Sequence, residues 1–159
     1  MATVTHSFIA AAPQERVWAY LSNFPLWRQF FILPQAKQKG WGTQFAMTGT
    51  ASVGARLDMY AGSSLMQQWS IERWEPPRQF RIASRVWHDW FFKAMISHFE
   101  ATLTPLAPDK TQVDIEFKTE FSTPLLGFLM NAFVPLHTTL RDVLAAMEKN
   151  LTSLLAAAP

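Results

Sequence analysis

Two residue pairs have the types and spacing that proton transfer or ligand gripping would need. His88 and Asp89 match a general base and the carboxylate that orients it. Arg56 and Asp58 stand two apart, so a strand would place both on one face, where they could hold a polar ligand head. The first pair fails on geometry, because neighbours on a strand point to opposite faces, and His88-Asp89 reads as a turn or surface element. For the second, an ordinary surface ion pair is the simpler reading. The remaining histidines, His6, His98 and His137, show no metal-ligand spacing, and His98 alternates with Phe99, which puts it on a wet face. Gly49 and Gly54 have the gap of a phosphate-binding loop, but Ala55-Arg56 follows in place of Lys and Ser/Thr. The chain has no cysteine, which excludes disulfides, thiol nucleophiles, cysteine-ligated zinc and iron–sulfur clusters. No Ser/His/Asp arrangement can be assigned. We therefore assign no catalytic residue, no metal and no cofactor from sequence.

What the chain has in quantity is bulky apolar volume. Its 159 residues are 49% hydrophobic and 16% charged, which fits one folded domain over residues 1–159 and rules out a solvated, disordered chain. It holds 7 Trp, 13 Phe and 7 Met but only 2 Tyr. The 14 basic and 12 acidic residues leave a net charge of +2, too little to argue for nucleic acid. Residues 1–93 carry ten basic and five acidic side chains, and Arg28, Lys37 and Lys39 lie near an aromatic cluster. Such a basic rim suits transient contact with an anionic membrane, although a solvated face is the commoner role of such charges. The first twelve residues have no Lys or Arg and no long apolar run, so we expect a cytoplasmic protein. The most apolar stretch, Leu125–Leu136, is too short to span a bilayer, which needs about 20 residues.

The elements that must position these residues follow from periodicity. Thr3–Ala10 alternates and reads as a strand. Pro13 and Glu15 suit a helix start, and Val17, Trp18, Leu21 and Phe24 share a helical face until Pro25 breaks it. Leu26–Phe31 gives a second short helical turn, and Gln35–Gly42 a loop. Strands are predicted at Thr43–Thr50, Ala55–Tyr60, Leu65–Trp74, Gln79–Trp87, Trp90–Thr104 and Thr111–Phe121, with a loop containing Pro105, Pro108 and Asp109 before the last. Thr123 and Pro124 then open a helical pattern running to about Leu155, with Leu129, Phe133, Leu136, Leu140, Leu144, Met147, Leu151 and Leu154 on one stripe. Pro135 should kink or split it. The fold class is α+β: a curved antiparallel sheet of about seven strands, covered by a long C-terminal helix, with two short helices after the first strand.

Several segments carry a family resemblance. Ile9-Ala10-Ala11-Ala12-Pro13-Gln14-Glu15-Arg16-Val17-Trp18, Asn23-Phe24-Pro25-Leu26-Trp27 and Val53-Gly54-Ala55-Arg56-Leu57 recur in order. The strongest piece is Trp69-Ser70-Ile71-Glu72-Arg73-Trp74-Glu75-Pro76-Pro77-Arg78-Gln79-Phe80, a strand ending in a Glu-Pro-Pro-Arg turn. Together they resemble the START-like helix-grip superfamily, SRPBCC, and within it the polyketide cyclase/dehydrase and lipid-transport-like branch, over nearly the whole chain. Asn23 departs from the acidic residue usual in the family at that point. The resemblance implies a deep, mostly apolar cavity between sheet and C-terminal helix. Members bind lipids, sterols, polyketides, plant hormones or quinones; some are enzymes, some co-chaperones, and no catalytic residue is common to all.

On that frame the candidate ligand-binding residues are the inward strand positions Leu57, Met59, Trp69, Ile71, Phe80, Ile82, Phe99, Val113, Ile115 and Phe117, with Leu129, Ala132, Phe133 and Leu136 from the helix. The alternative is that they simply fill a core. Trp27, Phe30 and Phe31, with Phe128, Met130 and Val134 off the helix's inner stripe, are expected at the cavity mouth or at a dimer contact; the alternative is that the two segments pack on each other. Three functions fit. The first is binding or carriage of a hydrophobic small molecule, such as a lipid, polyketide or isoprenoid, by a monomer or homodimer. The second is a cyclase- or aromatase-like enzyme, which needs inward polar groups, and most strand polars alternate outward. The third is a protein-interaction module of the co-chaperone type.

Overall fold

The computed structural model describes residues 2–31, 43–87, 95–121 and 136–157. The strands are β1 (Ala2–Ala10), β2 (Thr43–Thr48), β3 (Arg56–Ala61), β4 (Ser64–Glu75), β5 (Gln79–Trp87), β6 (Met95–Ala107) and β7 (Lys110–Phe121). The helices are α1 (Gln14–Leu21), α2 (Trp27–Phe30) and α3 (Leu136–Ala157), with a 3₁₀ turn at Phe24–Leu26. The described strands form one antiparallel, curved sheet in the order β1-β7-β6-β5-β4-β3-β2. Consecutive hairpins lay down β2 to β7, and β1 joins the free edge of β7, from Ala2 opposite Thr119 to Ala10 opposite Thr111.

The alternation in sequence becomes two faces. On β7, Thr111, Val113, Ile115, Phe117 and Thr119 are buried, while the residues between them are partly or fully exposed. The same parity buries Phe99, Ala101 and Leu103 on β6, and Leu57 and Met59 on β3. Over this inner face lies α3, packed chiefly on β1 and touching α2. Leu140, Val143, Leu144, Met147, Leu151 and Leu155 are its buried stripe, at three-and-four spacing. The stripe thus ends on Leu155, with the predicted Leu154 only half-buried. Arg16 of α1 donates from Nη2 to the Leu155 carbonyl at 2.8 Å, satisfying an acceptor that the last helical turn leaves without an intrahelical partner. His6 on β1 meets Glu148 of α3 at 2.7 Å, a second tie between sheet edge and helix.

The chain after β1 folds back as an aromatic plug. The Pro13 carbonyl accepts the Arg16 and Val17 amides, starting α1 with Val17 and Leu21 buried. Asn23 accepts the Leu26 amide at its carbonyl, but its side chain makes no capping bond. Phe24 and Trp27 then reach the inner face of the sheet: Trp27 packs against Phe99 with ring centroids 4.9 Å apart, and Phe24 against Phe80 at 5.6 Å. The Trp27 indole donates to the Leu21 carbonyl at 2.8 Å, so its single polar atom is satisfied in the core.

Two expectations are revised. Pro105 lies in β6, which continues to Ala107, where a loop was predicted. β5 pairs with β6 only as far as Thr102, so a residue without an N–H fits beyond that point without breaking a bond to β5. The second concerns Trp27, Phe30 and Phe31, which are not an exposed rim: their exposures are 2%, 0% and 4%. The helical segment lies over the sheet, and burial in the shared core stabilises those rings more than exposure at a rim would. Phe128, Met130 and Val134, the His88-Asp89 turn and the helical pattern before Leu136 lie outside the described residues.

Candidate functional site

Every strand residue proposed as cavity wall is buried on the inner face, and all belong to one apolar cluster. Leu129, Ala132 and Phe133 lie outside the described residues, and Leu136 begins α3. The strand positions divide by what touches them. Phe80 and Phe99 stand 6.0 Å apart, ring to ring, under the plug of Phe24 and Trp27. Val113 and Ile115 stand opposite Phe8 and His6 of β1, the strand on which α3 packs. Leu57, Met59, Trp69 and Phe117 mark the other end of the inner face, with Trp69 and Phe117 edge to face at 6.4 Å.

At that end the wall changes chemistry. Trp69 stands opposite Leu57 on one side and Ser84 on the other. The Ser97 amide donates to Ser84 Oγ at 2.9 Å, and Ser97 stands opposite Thr119. A row of polar positions, Trp69–Ser84–Ser97–Thr119, thus crosses four strands, and Gln67 stands two residues along β4, opposite Met59. All are buried: Ser84 is fully inaccessible and Gln67, Ser97 and Thr119 are each 2% exposed. Two of their donors, Gln67 Nε2 and the Trp69 indole Nε1, have no hydrogen-bond partner. Leaving a donor buried and unpaired is costly, and native interiors rarely tolerate it without a reason.

Gln67, Ser84, Ser97 and Thr119 are absent from the sequence-derived site. The signal was available. Each falls on the inward parity of its own strand, with Trp69 and Ile71, Phe80 and Ile82, Phe99, and Phe117 respectively. Selecting only apolar residues at that parity passed over them.

The residues whose types first suggested chemistry lie elsewhere. Arg56 Nε pairs with Asp58 Oδ1 at 2.9 Å, and Gln68 Nε2 donates to the same oxygen at 3.0 Å, with Arg56 more than half exposed. That is a surface ion pair of the outer face. His98 is partly buried there, 3.3 Å from Arg81 Nη2 and 3.7 Å from a Glu72 oxygen. Arg73, Arg81, Glu72 and Glu100 continue the network across β4, β5 and β6. His137 is exposed at the start of α3. Among the described residues no group of three or more His, Asp and Glu could hold a metal ion, and no helix is long and apolar enough to cross a membrane. Two open grooves formed by described residues, one along Gln14, Pro77–Gln79 and Thr102–Pro105 and one at Val53–Gly54 and Ser70–Glu72, are both separate from the polar row.

Comparison with known proteins agrees with this architecture. Residues 1–156 match the family model described as polyketide cyclase / dehydrase and lipid transport. The protein MLL2253 from Mesorhizobium loti is 17% identical, with a TM-score of 0.69 over 99% of each chain. Norcoclaurine synthase from Thalictrum flavum, solved in complex with dopamine and hydroxybenzaldehyde, is 16% identical, with a TM-score of 0.66 over 99% of this chain and 88% of that one. The di-domain ARO/CYC protein BexL of the BE-7585A biosynthetic pathway is 14% identical, with a TM-score of 0.67 over 99% of this chain and 48% of its own, so the present chain spans about half of it. At such identities the likeness is one of fold. No curated protein matches the chain.

Proposed function

The chain belongs to the polyketide cyclase/dehydrase and lipid-transport family, and from that premise we propose that it binds and carries a hydrophobic small molecule of lipid, polyketide or isoprenoid kind between the sheet and the C-terminal helix. The observation that carries this reading is the inner face at Leu57, Met59, Trp69 and Phe117, an apolar wall that runs into a buried polar row. Apolar walls with a few placed polar groups are the composition of small-molecule sites. The same observation weighs against acid–base catalysis. Gln67, Trp69, Ser84, Ser97 and Thr119 are neutral groups that hold their protons near pH 7, and binding asks nothing more of them.

Native mass spectrometry of freshly purified protein, followed by solvent extraction, tests the proposal. A discrete co-purifying lipophile is the expected result. In a thermal-shift panel, a ligand at a hundred times its Kd adds about 2.7 kcal/mol, or roughly 5–10 °C in Tm for a domain of this size. A clean unliganded mass together with no shift across a panel of sterols, fatty acids, isoprenoids and aromatic ketones would overturn it.

A further inference from the structure

We propose that Gln67 and Trp69 form a hydrogen-bonding pair that reads a neutral oxygen on the ligand, a carbonyl or hydroxyl oxygen at the end of an otherwise apolar molecule. The inference rests on the binding reading above and names the ligand chemistry of that site. Gln67 and Trp69 are two residues apart on β4, so their side chains leave the same face, with backbones about 7 Å apart. Both are buried, at 2% and 5% exposure, and Gln67 Nε2 and Trp69 Nε1 are each without a partner. Two unsatisfied donors on the same buried face of one strand are complementary to acceptor oxygen. A hydrocarbon would leave both unpaired.

The donors are uncharged, and this decides the kind of oxygen. A carboxylate buried here would carry its full charge into a site whose N–H and O–H donors are all neutral, and burying a charge with no opposite charge to pair it is far more costly than burying a ketone. Their cross-strand neighbours Leu57 and Met59 are apolar, and Ser84, beside Trp69, already receives the Ser97 amide. The pair therefore selects an oxygenated, neutral lipophile over both a plain hydrocarbon and an anionic one.

Equilibrium dialysis with three probes of one shape tests this: 2-acetylnaphthalene, 2-ethylnaphthalene and 2-naphthoate. The wild-type protein, stripped of bound lipophile, should hold the ketone about tenfold more tightly than the hydrocarbon, a difference of about 1.4 kcal/mol, and more tightly than the carboxylate. In Gln67→Met and Trp69→Phe the ketone preference should fall. In the double variant it should vanish, the ketone and the hydrocarbon then binding equally, whatever the altered wall does to both affinities alike. Should the variants fail to fold, the wild-type indole N–H resonance of Trp69 serves instead: it should move on addition of the ketone and stay in place with the hydrocarbon. Equal affinity for ketone and hydrocarbon, tighter binding of the naphthoate, or an unmoved indole resonance in the ketone complex would overturn the pair while leaving the binding function intact. Failure of all three probes to bind wild-type protein would overturn the binding reading and this proposal with it.

Discussion

Replacing Gln67 with methionine should make the unliganded protein more stable. The side chain is 2% exposed and its amide nitrogen has no partner, so folding strips water from a donor and returns nothing. An unsatisfied buried donor costs about 1–3 kcal/mol. Methionine has nearly the same length and volume, carries no donor, and adapts to irregular surroundings, so the packing against Met59 survives. Allowing for imperfect fit, the gain should be about 1–2 kcal/mol, or roughly 2–8 °C in Tm for a chain of this length. The adjacent residue supplies the control. Gln68 faces outward and donates to Asp58 at 3.0 Å, so Gln68→Met removes a bond to a charged acceptor and should destabilise by about 1 kcal/mol. Urea unfolding of delipidated wild-type and variant proteins measures both, with the midpoint shifting at constant slope. If Gln67→Met lowers stability by more than about 1 kcal/mol, the amide has a structural partner and the reasoning fails. A gain there, with loss of ketone affinity, would mean that the site keeps an unstable group for binding.

Three further outcomes follow from the structure. Trp27→Ala should cost about 3–5 kcal/mol, since the ring joins Phe24, Phe30, Phe31, Phe45, Phe80 and Phe99; a loss below about 1 kcal/mol in denaturant unfolding would show that the plug does not hold the sheet and helices together. Phe117→Trp should keep a cooperative unfolding transition yet weaken probe binding several-fold, because the larger ring fills space beside Trp69, and unchanged affinity would remove Phe117 from the wall. Glu75 is held below the ordinary glutamate pKa, chiefly by the hydrogen bond from Arg78 and then by the charges of Arg78 and Arg73. A depressed folded-state value means that this contribution is present above the unfolded pKa and is lost as pH falls through the folded one. Arg78→Met should therefore move the Glu75 carboxyl titration upward in carbon-detected NMR, and an unmoved midpoint would refute the assignment.

How much was legible in the sequence varies with the range of the interaction. The period-two alternation of Val113, Ile115 and Phe117 and the three-and-four spacing of Leu140, Leu144, Met147 and Leu151 are local signals, and the corresponding residues are buried as expected. Pro25 did not set the break: α1 ends at Leu21, four residues earlier, and Pro25 sits inside the 3₁₀ turn Phe24–Leu26, near a helical start where its missing N–H costs nothing. Pro105 misled because its tolerance in β6 depends on β5 having no pairing beyond Thr102, a fact about a different strand. Trp27, Phe30 and Phe31 misled for a similar reason. A short helical turn does not disclose whether its aromatics face water or a sheet, and here the plug closes over Phe80 and Phe99.

The site divides in the same way. Side-chain parity along each strand is a property of the local backbone, so the sequence by itself determined which residues face inward, Gln67, Ser84, Ser97 and Thr119 among them. It also set the supply of bulky apolar side chains and excluded cysteine chemistry. Only the tertiary structure decided that Ser84, Ser97 and Thr119 line up in a row with Trp69, since that depends on the register of β4 through β7, with the bulge between Gln68 and Trp69. Only it decided that the Trp27 indole finds the Leu21 carbonyl while the Trp69 indole finds nothing. A hydrogen bond needs both partners within about 3 Å at a favourable angle, and one strand's sequence carries no record of what the packed chain brings to its donor.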